Sequence, residues 1–236
     1  YRIPYETQAL DEDFKIVKED YYKDNGGIVI ANPNAPTSIY EEIEVIEDIV
    51  KHNPDSVVII DEAYIDFAGE SALSLTSKYD NLLVVQTFSK SRSMAGMRIG
   101  YAMGNPKLIK ALNDVKYSFN SYTMNQTAIL AGVEAVKDKD YFEMVIQKIL
   151  NTRKKAESSF RKLGFSFPKS GTNFFFVSHE YIPAKDLYGL LKENDIYVRY
   201  FDLPRINNYL RITIGSDEQM KVLFDFIEKY ISKIQF

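Results

Sequence analysis

The chain contains no cysteine. A disulfide framework and a thiolate metal site are both excluded on that ground. Histidine is scarce too: His52 and His179 are the only two, far apart and without metal-ligand spacing. Each reads better as a packed or solvated side chain than as a catalyst. No apolar run approaches the ~20 residues that a membrane helix requires, and a secretory leader is not expected. Neither sign of charge dominates. Lys and Arg number 29 against 33 Asp and Glu, a formal net charge of −4, and the two signs intersperse throughout. Nothing in that pattern offers a basic surface for nucleic acid or a charged tail. The expectation is a reduced, cytoplasmic, globular protein without nucleic-acid or membrane partners. Composition is ordinary, with 45% hydrophobic and 26% charged residues, and the length suits one large domain or two small ones. The chain opens Tyr1-Arg2-Ile3-Pro4-Tyr5, which reads as the end of an extended segment. A preceding N-terminal portion is therefore expected.

Apolar runs and turn residues organise the chain. Asp11 to Tyr22 is predicted to be a helix capped by Asp11, with Phe14, Ile16 and Val17 apolar. Ile28-Val29-Ile30-Ala31 reads as a strand buried on both faces. A loop, Asn32 to Thr37, follows. A helix is predicted from Ser38, with Glu41 completing a capping box. Further buried strands are predicted at Val57–Ile60, Leu82–Gln86 and Arg98–Met103. Strand and helix in alternation argue for an α/β unit with parallel strands. Asn105-Pro106 starts another helix, Gln126–Val136 reads as a buried one, and Asp140–Leu163 as a long amphipathic one closed by Gly164. Beyond it, strands at Asn173–Ser178, Ile196–Tyr200 and Tyr209–Ile214 alternate with helices at Pro183–Asn194 and Ser216–Ile234, a smaller α+β domain. The boundary is placed near residue 150, giving domains 1–150 and 151–236.

Polar residues cluster after the C-terminal ends of strands, where ligands sit in open α/β sheets. Lys90 is the most informative. It lies in Thr87-Phe88-Ser89-Lys90-Ser91-Arg92-Ser93-Met94-Ala95-Gly96-Met97-Arg98, between two buried strands. Such a lysine suits Schiff-base chemistry, and the hydroxyls with an arginine fork suit a phosphate. Asp61 ends a strand; it is either a turn aspartate or an acid paired with a protonated ring nitrogen. Tyr64 is a packing residue or a ligand on the same side. Arg98 alone reads as a salt-bridge residue, and with Thr87, Ser89 and Lys90 as a phosphate clamp. Arg211, inside the alternating strand Tyr209–Ile214, either snorkels outward or forks onto a carboxylate. Arg199 carries the same two readings.

The strings Asn32-Pro33-Asn34-Ala35-Pro36-Thr37, Asp61-Glu62-Ala63-Tyr64, Thr87-Phe88-Ser89-Lys90, Met97-Arg98-Ile99-Gly100 and Leu210-Arg211-Ile212-Thr213 resemble, in order and spacing, the fold-type-I pyridoxal-phosphate aminotransferases, and most of all their histidinol-phosphate branch. Each string is weak alone; five in order over nearly the whole chain are specific. The resemblance implies an α/β fold, with the mostly parallel sheet of the large domain and a smaller C-terminal α+β domain. It implies pyridoxal 5'-phosphate as cofactor, amino-acid and 2-oxo-acid substrates, and a homodimer. Lys90 would form the Schiff base and carry the proton between substrate and cofactor. Asp61 would keep the pyridine nitrogen protonated, and Tyr64 would bond the phenolic oxygen. Thr87, Ser89 and Arg98 would bind the cofactor phosphate. Arg211 would hold the substrate carboxylate, and Arg199 the phosphate-bearing end of the substrate.

The chain departs from the family pattern at two points. Ala35 stands where the family has the Asn that contacts the phenolic oxygen, and Ser38 where it has Gly; Asn34 is the neighbouring candidate. The family's N-terminal part, with a phosphate loop, a ring-stacking aromatic and a tyrosine lent across the dimer, is not in this sequence. Two other readings stay open: a pyridoxal-phosphate decarboxylase of phosphothreonine, and a non-catalytic core fragment that binds no cofactor.

Overall fold

A computed structural model describes residues 2–234. The chain divides into two compact units, one of residues up to Asn34 with Ile39–Asp138, the other of Ala35–Ser38 with the chain from Lys139 onward. The division falls at the head of a long helix, α4 (Lys139–Lys162), whereas the sequence suggested residue 150 within it.

The first unit holds β1 (Ile28–Ala31), α1 (Ile43–His52), β2 (Val58–Asp61), β3 (Leu82–Thr87), β4 (Gly100–Gly104), α2 (Pro106–Phe119) and α3 (Gln126–Lys137). The strands lie in the order β1-β2-β3-β4. The first two pairings are parallel and in step, from Ile28↔Val58↔Leu82 to Ala31↔Asp61↔Val85, and β4 runs antiparallel to β3. One face of this mostly parallel sheet (Ile28, Ile30, Val58, Ile60, Leu82, Val84) packs on Ile46, Ile49 and Val50 of α1 and on Ala72 and Leu75. Ile46 and Ile49 are fully buried, and each such side chain contributes roughly 1.5–3 kcal/mol. On the other face Val29 is 72% exposed, so β1 is buried on one side, not on both as its apolar run suggested.

Three helical expectations are corrected. Asp11–Tyr22 is not a helix: Asp11 Oδ1 accepts from the amides of Asp13 and Lys15, Phe14 takes a left-handed φ of 61°, and only Lys18–Tyr21 coils, as a 3-10 turn. The side-chain carboxylate competes here with the helix ladder. Second, α1 begins at Ile43 rather than Ser38. The Asn32 side chain bonds both the N–H and the C=O of Glu41, and the Asn34 amide donates to Ile39 O, so the backbone is engaged before a helix can start. Glu41 does not cap; it accepts from the amide of Ile16. Third, α3 forms as expected but is not buried, since Leu130, Val133 and Val136 are exposed and only Ala128 and Gly132 are covered. Asn105-Pro106 starts α2 as expected, and the Asn105 side chain caps it by accepting from the Lys107 amide.

The second unit contains α4, β5 (Phe165–Ser166), β6 (Phe174–His179), α5 (Ala184–Glu193), β7 (Arg199–Tyr200), β8 (Leu210–Thr213) and α6 (Asp217–Ile231). Its sheet is antiparallel throughout, in the order β5-β6-β8-β7. The strand expected over Ile196–Tyr200 shortens to two residues. Phe160 of α4 is the hub of the core, with Phe165, Phe167, Phe175 and Phe224 edge-on around it. Ser216 and Gln219 close a capping box on α6. His179 is structural: Nδ1 accepts from the Tyr181 amide, which leaves Nε2 to donate to Leu163 O at 3.1 Å. Gly164 ends α4 with φ +82°, and a Cβ there would lie 2.9 Å from His179 Nε2. His52 stacks on Tyr22 at the end of α1.

Backbone geometry generates two stability predictions. Ser38 has φ 67°, and its buried hydroxyl lacks a hydrogen-bond partner among the described residues. Relief of the orphaned hydroxyl and of left-handed strain outweighs the ~0.5–1 kcal/mol entropic cost of glycine. Ser38→Gly is expected to raise the urea midpoint, by about 1 kcal/mol; an unchanged or lower midpoint contradicts it. Gly164→Ala is expected to cost about 1–2 kcal/mol, because methyl crowding adds to the strained φ, read as a lower melting temperature.

Candidate active site

The step-locked parallel strands deliver Asp61 and Thr87 from adjacent C-terminal ends. Asp61 Oδ1 accepts from the Ala63 amide at 3.0 Å, which holds the turn, and the carboxylate is otherwise exposed. Tyr64 heads the 3-10 turn Ile65–Phe67. Its ring lies under Lys90, with Nζ 5.2 Å from the ring centroid. Such a contact is worth about 0.5–1 kcal/mol to an ammonium at an open site. Lys90 has no ion pair among the described residues.

The loop that carries Lys90 is closed by hydrogen bonds within it. Thr87 Oγ1 accepts from the Ser89 amide at 3.1 Å and lies 2.9 Å from Ser89 Oγ. The Ser93 amide donates to Lys90 O, and Met94 to Phe88 O. Arg92 donates to Ala135 O of α3 and lies over the Phe88 ring. Arg98 does not open β4, which begins at Gly100. It ends a 3-10 turn with φ 54°, exposed, and its Nη1 donates to Ala95 O at 2.9 Å. The first unit thus brings Asp61, Tyr64, Thr87, Ser89 and Lys90 onto two neighbouring strand ends and the loops that leave them. Arg98 sits on the far limb of the same loop. Asn34 lies half-buried after β1, held through its backbone to Ile39.

Sequence reasoning missed Glu62. It is 2% exposed and accepts from Ser71 Oγ at 2.6 Å, the Ala72 amide at 2.6 Å and Gln86 Nε2 at 2.8 Å. Gln86 Oε1 in turn accepts from the Tyr101 hydroxyl at 2.7 Å. Burial pushes the Glu62 carboxyl above its usual range, against those hydrogen bonds. The available signal was a Gln within an otherwise apolar strand one residue before Thr87.

In the second unit, Arg199 and Arg211 are directly opposite each other across β7 and β8. Both guanidiniums lie over the Phe201 ring, at 5.4 and 5.8 Å, and Arg211 also lies over Phe174 at 5.1 Å. Arg211 is the half-buried member of an alternating strand, as read from sequence.

This donor set fits the cofactor implied by the sequence strings. A primary amine stands over an aromatic ring, an exposed carboxylate has an oxygen free for a cationic N–H, and two hydroxyls and an exposed guanidinium suit a phosphate.

Comparison with known proteins agrees. The model of the family "Aminotransferase class I and II" matches residues 1–227. The histidinol-phosphate aminotransferase of Brachyspira hyodysenteriae is 54% identical over 95% of this chain and 63% of its own length. That of Clostridium botulinum (strain Okra) is 47% identical over 99% of the chain and 66% of its length. The chain therefore spans about two thirds of the relatives it matches. The solved histidinol-phosphate aminotransferase of Clostridium acetobutylicum superposes with a TM-score of 0.86 at 26% identity, over 95% of this chain and 70% of that one.

The raised Glu62 pKa has a pH signature. A carboxyl that binds its proton more tightly folded than unfolded stabilises the fold most at low pH. That contribution is lost as pH rises from the ordinary value of 4.5 through the raised folded value. Urea midpoints across this window are expected to fall less steeply in Glu62→Gln than in the parent; equal slopes refute the shift.

Proposed function

Because the chain belongs to the class I and II aminotransferase family, we propose that the protein carrying it is a pyridoxal-phosphate-dependent aminotransferase. Its reaction exchanges an amino group between histidinol phosphate and 2-oxoglutarate, in histidine biosynthesis. The observation that carries this reading is 54% and 47% identity to two histidinol-phosphate aminotransferases over nearly the whole chain. The first unit is read as part of the cofactor-binding domain and the second as the small domain. A cytoplasmic homodimer belongs to the same reading. Among the described residues no helix is long and apolar enough to cross a membrane.

When bound, pyridoxal phosphate supplies an electron sink for the pair left at the substrate α-carbon. The chain does the rest. The Lys90 amine would tether the cofactor and, once free as a base, would carry the proton between the substrate α-carbon and the cofactor C4′. The Tyr64 ring restrains that amine, its hydroxyl would orient the cofactor's phenolic oxygen, and Asn34 is the second candidate for that oxygen. Asp61 presents a negative oxygen that keeps a proton on the ring nitrogen. Thr87, Ser89 and Arg98 hold the phosphate, so the ring cannot slide when the tether is exchanged. Arg211 would fork onto the carboxylate of 2-oxoglutarate and of the glutamate formed from it, and Arg199 would meet the phosphate of histidinol phosphate, which has no carboxylate.

Three measurements test these roles. Borohydride reduction of the loaded full-length protein, followed by peptide mapping, is expected to place the pyridoxyl group on Lys90; another lysine sinks the assignment. Asp61→Asn keeps the shape and loses the charge, so turnover should fall by at least about a hundredfold, the usual scale for a transition-state electrostatic contact. Near-parental turnover would refute that role. Arg211→Lys keeps the charge but loses the planar fork, and is expected to raise KM for 2-oxoglutarate; an unchanged KM refutes the role. The reaction itself is checked with two substrates in the parent: histidinol phosphate with 2-oxoglutarate should yield glutamate, whereas release of carbon dioxide from phosphothreonine would favour the decarboxylase reading.

A further inference from the structure

Glu62 is a carboxylate that the proposed chemistry does not use, yet it is among the most buried polar groups of the first unit. Resting on the functional reading above, we propose that Glu62 is a positioning residue: its buried carboxylate ties together the strand ends that carry Asp61 and Thr87 and fixes where both point. The register makes the case. Asp61 is level with Val85, so Glu62 falls level with Gln86, and Gln86 is level with Tyr101 on β4. Glu62, Gln86 and Tyr101 therefore lie side by side on one face, while Asp61 and Thr87, each one residue away, are on the opposite face. The Glu62 amide also donates to Val85 O at 2.8 Å, which prolongs the β2–β3 pairing past Asp61.

The hydrogen bonds close a relay across three strands. Tyr101 donates to Gln86, Gln86 donates to Glu62, and Glu62 receives Ser71 and Ala72 from the turn that follows the Tyr64 segment. Loss of the carboxylate leaves three donors without their acceptor in a site where water scarcely reaches. A buried unpaired donor is costly enough to move the strand ends rather than remain unpaired. Glutamine at this position behaves differently from alanine. In Glu62→Gln the side-chain oxygen keeps the Ala72 amide, and the new NH2 donates to Ser71 Oγ. Gln86 then turns its amide over to accept from the substituted side chain and donates to the Tyr101 oxygen instead. Every side-chain contact survives with its direction reversed. A role based on geometry is therefore rescued by Gln, whereas a role based on charge is not.

The test uses the full-length protein with Glu62→Ala, Glu62→Gln and Asp61→Asn beside the parent. Pyridoxal phosphate is titrated well below each melting temperature, and affinity and visible absorbance of the bound cofactor are recorded. Glu62→Ala is expected to lose at least tenfold in affinity, and its absorbance should shift toward that of Asp61→Asn, because Asp61 no longer meets the ring nitrogen. Glu62→Gln should lie within about threefold of the parent with the parental spectrum. A purely structural role would lower the melting temperature of Glu62→Ala and leave the spectrum parental, which overturns the proposal. A Glu62→Gln variant that behaves like Glu62→Ala also overturns it, in favour of charge. If Glu62→Ala does not fold, Gln86→Leu cuts the next link of the relay; a shift in the same direction supports the proposal, and a parental spectrum and affinity refute it. A parent that takes up no pyridoxal phosphate overturns the functional reading itself, and this inference with it.

Discussion

In-step parallel pairing of β1, β2 and β3 is the constraint on which the first unit depends. Ala31, Asp61 and Val85 end on one line because the hydrogen-bond ladder allows no half-step. A slip of one residue would turn Asp61 to the α1 face and bring Glu62 to the open one. The core prevents that slip. Ile28, Ile30, Val58, Ile60, Leu82 and Val84 all face α1, and each would leave it together. Apolar packing thus fixes a polar geometry several residues away. The residues that carry chemistry need no network of their own to find their height on the sheet; fine aim is what remains to be set.

The strands and the longer helices were legible because they rest on periodicity and on turn residues. α4, α5, α6 and the three parallel strands fall within a few residues of their expected bounds. What failed was local and polar. Asp11 and Asn32 spend their side chains on nearby backbone groups; the first removes a helix that the apolar spacing allowed, and the second delays the start of α1 to Ile43. No periodicity records such a choice. Arg98 failed for a related reason: an apolar neighbourhood suggested a strand, but the residue turns left-handed to end the 3-10 coil before Gly100. The Lys90 loop was readable because it combines residue types that a structural loop between buried strands has little reason to contain.

Glu62 was hidden in a different way. It stood next to a better candidate, and a lone acid after a strand reads as solvent-facing. Its burial depends on Ser71, Ala72 and Gln86, which arrive from distant positions. Sequence spacing carries no trace of such convergence. A buried carboxylate with three donors is stable only as a complete set, so these residues are coupled even though none reads as a motif.

Arg199 and Arg211 pose the converse problem. Like charges directly opposite on a two-strand ladder are destabilising, and among the described residues neither guanidinium has a carboxylate partner. The sheet tolerates them because Phe201 and Phe174 lie beneath the guanidinium planes, replacing lost hydration with cation–π contact. That arrangement favours arginine over lysine, since a planar, weakly hydrated cation can stack and still present its edge. Among the described residues the guanidinium edges meet no protein acceptor, and the ladder sets their spacing. An anion that meets both relieves the repulsion and gains hydrogen bonds in one step. Histidinol phosphate brings a phosphate and 2-oxoglutarate brings carboxylates, so each substrate of the proposed reaction supplies an anion that such a pair of forks can take. The energetic cost that the empty pair imposes on β7 and β8 is therefore itself an argument for the functional reading.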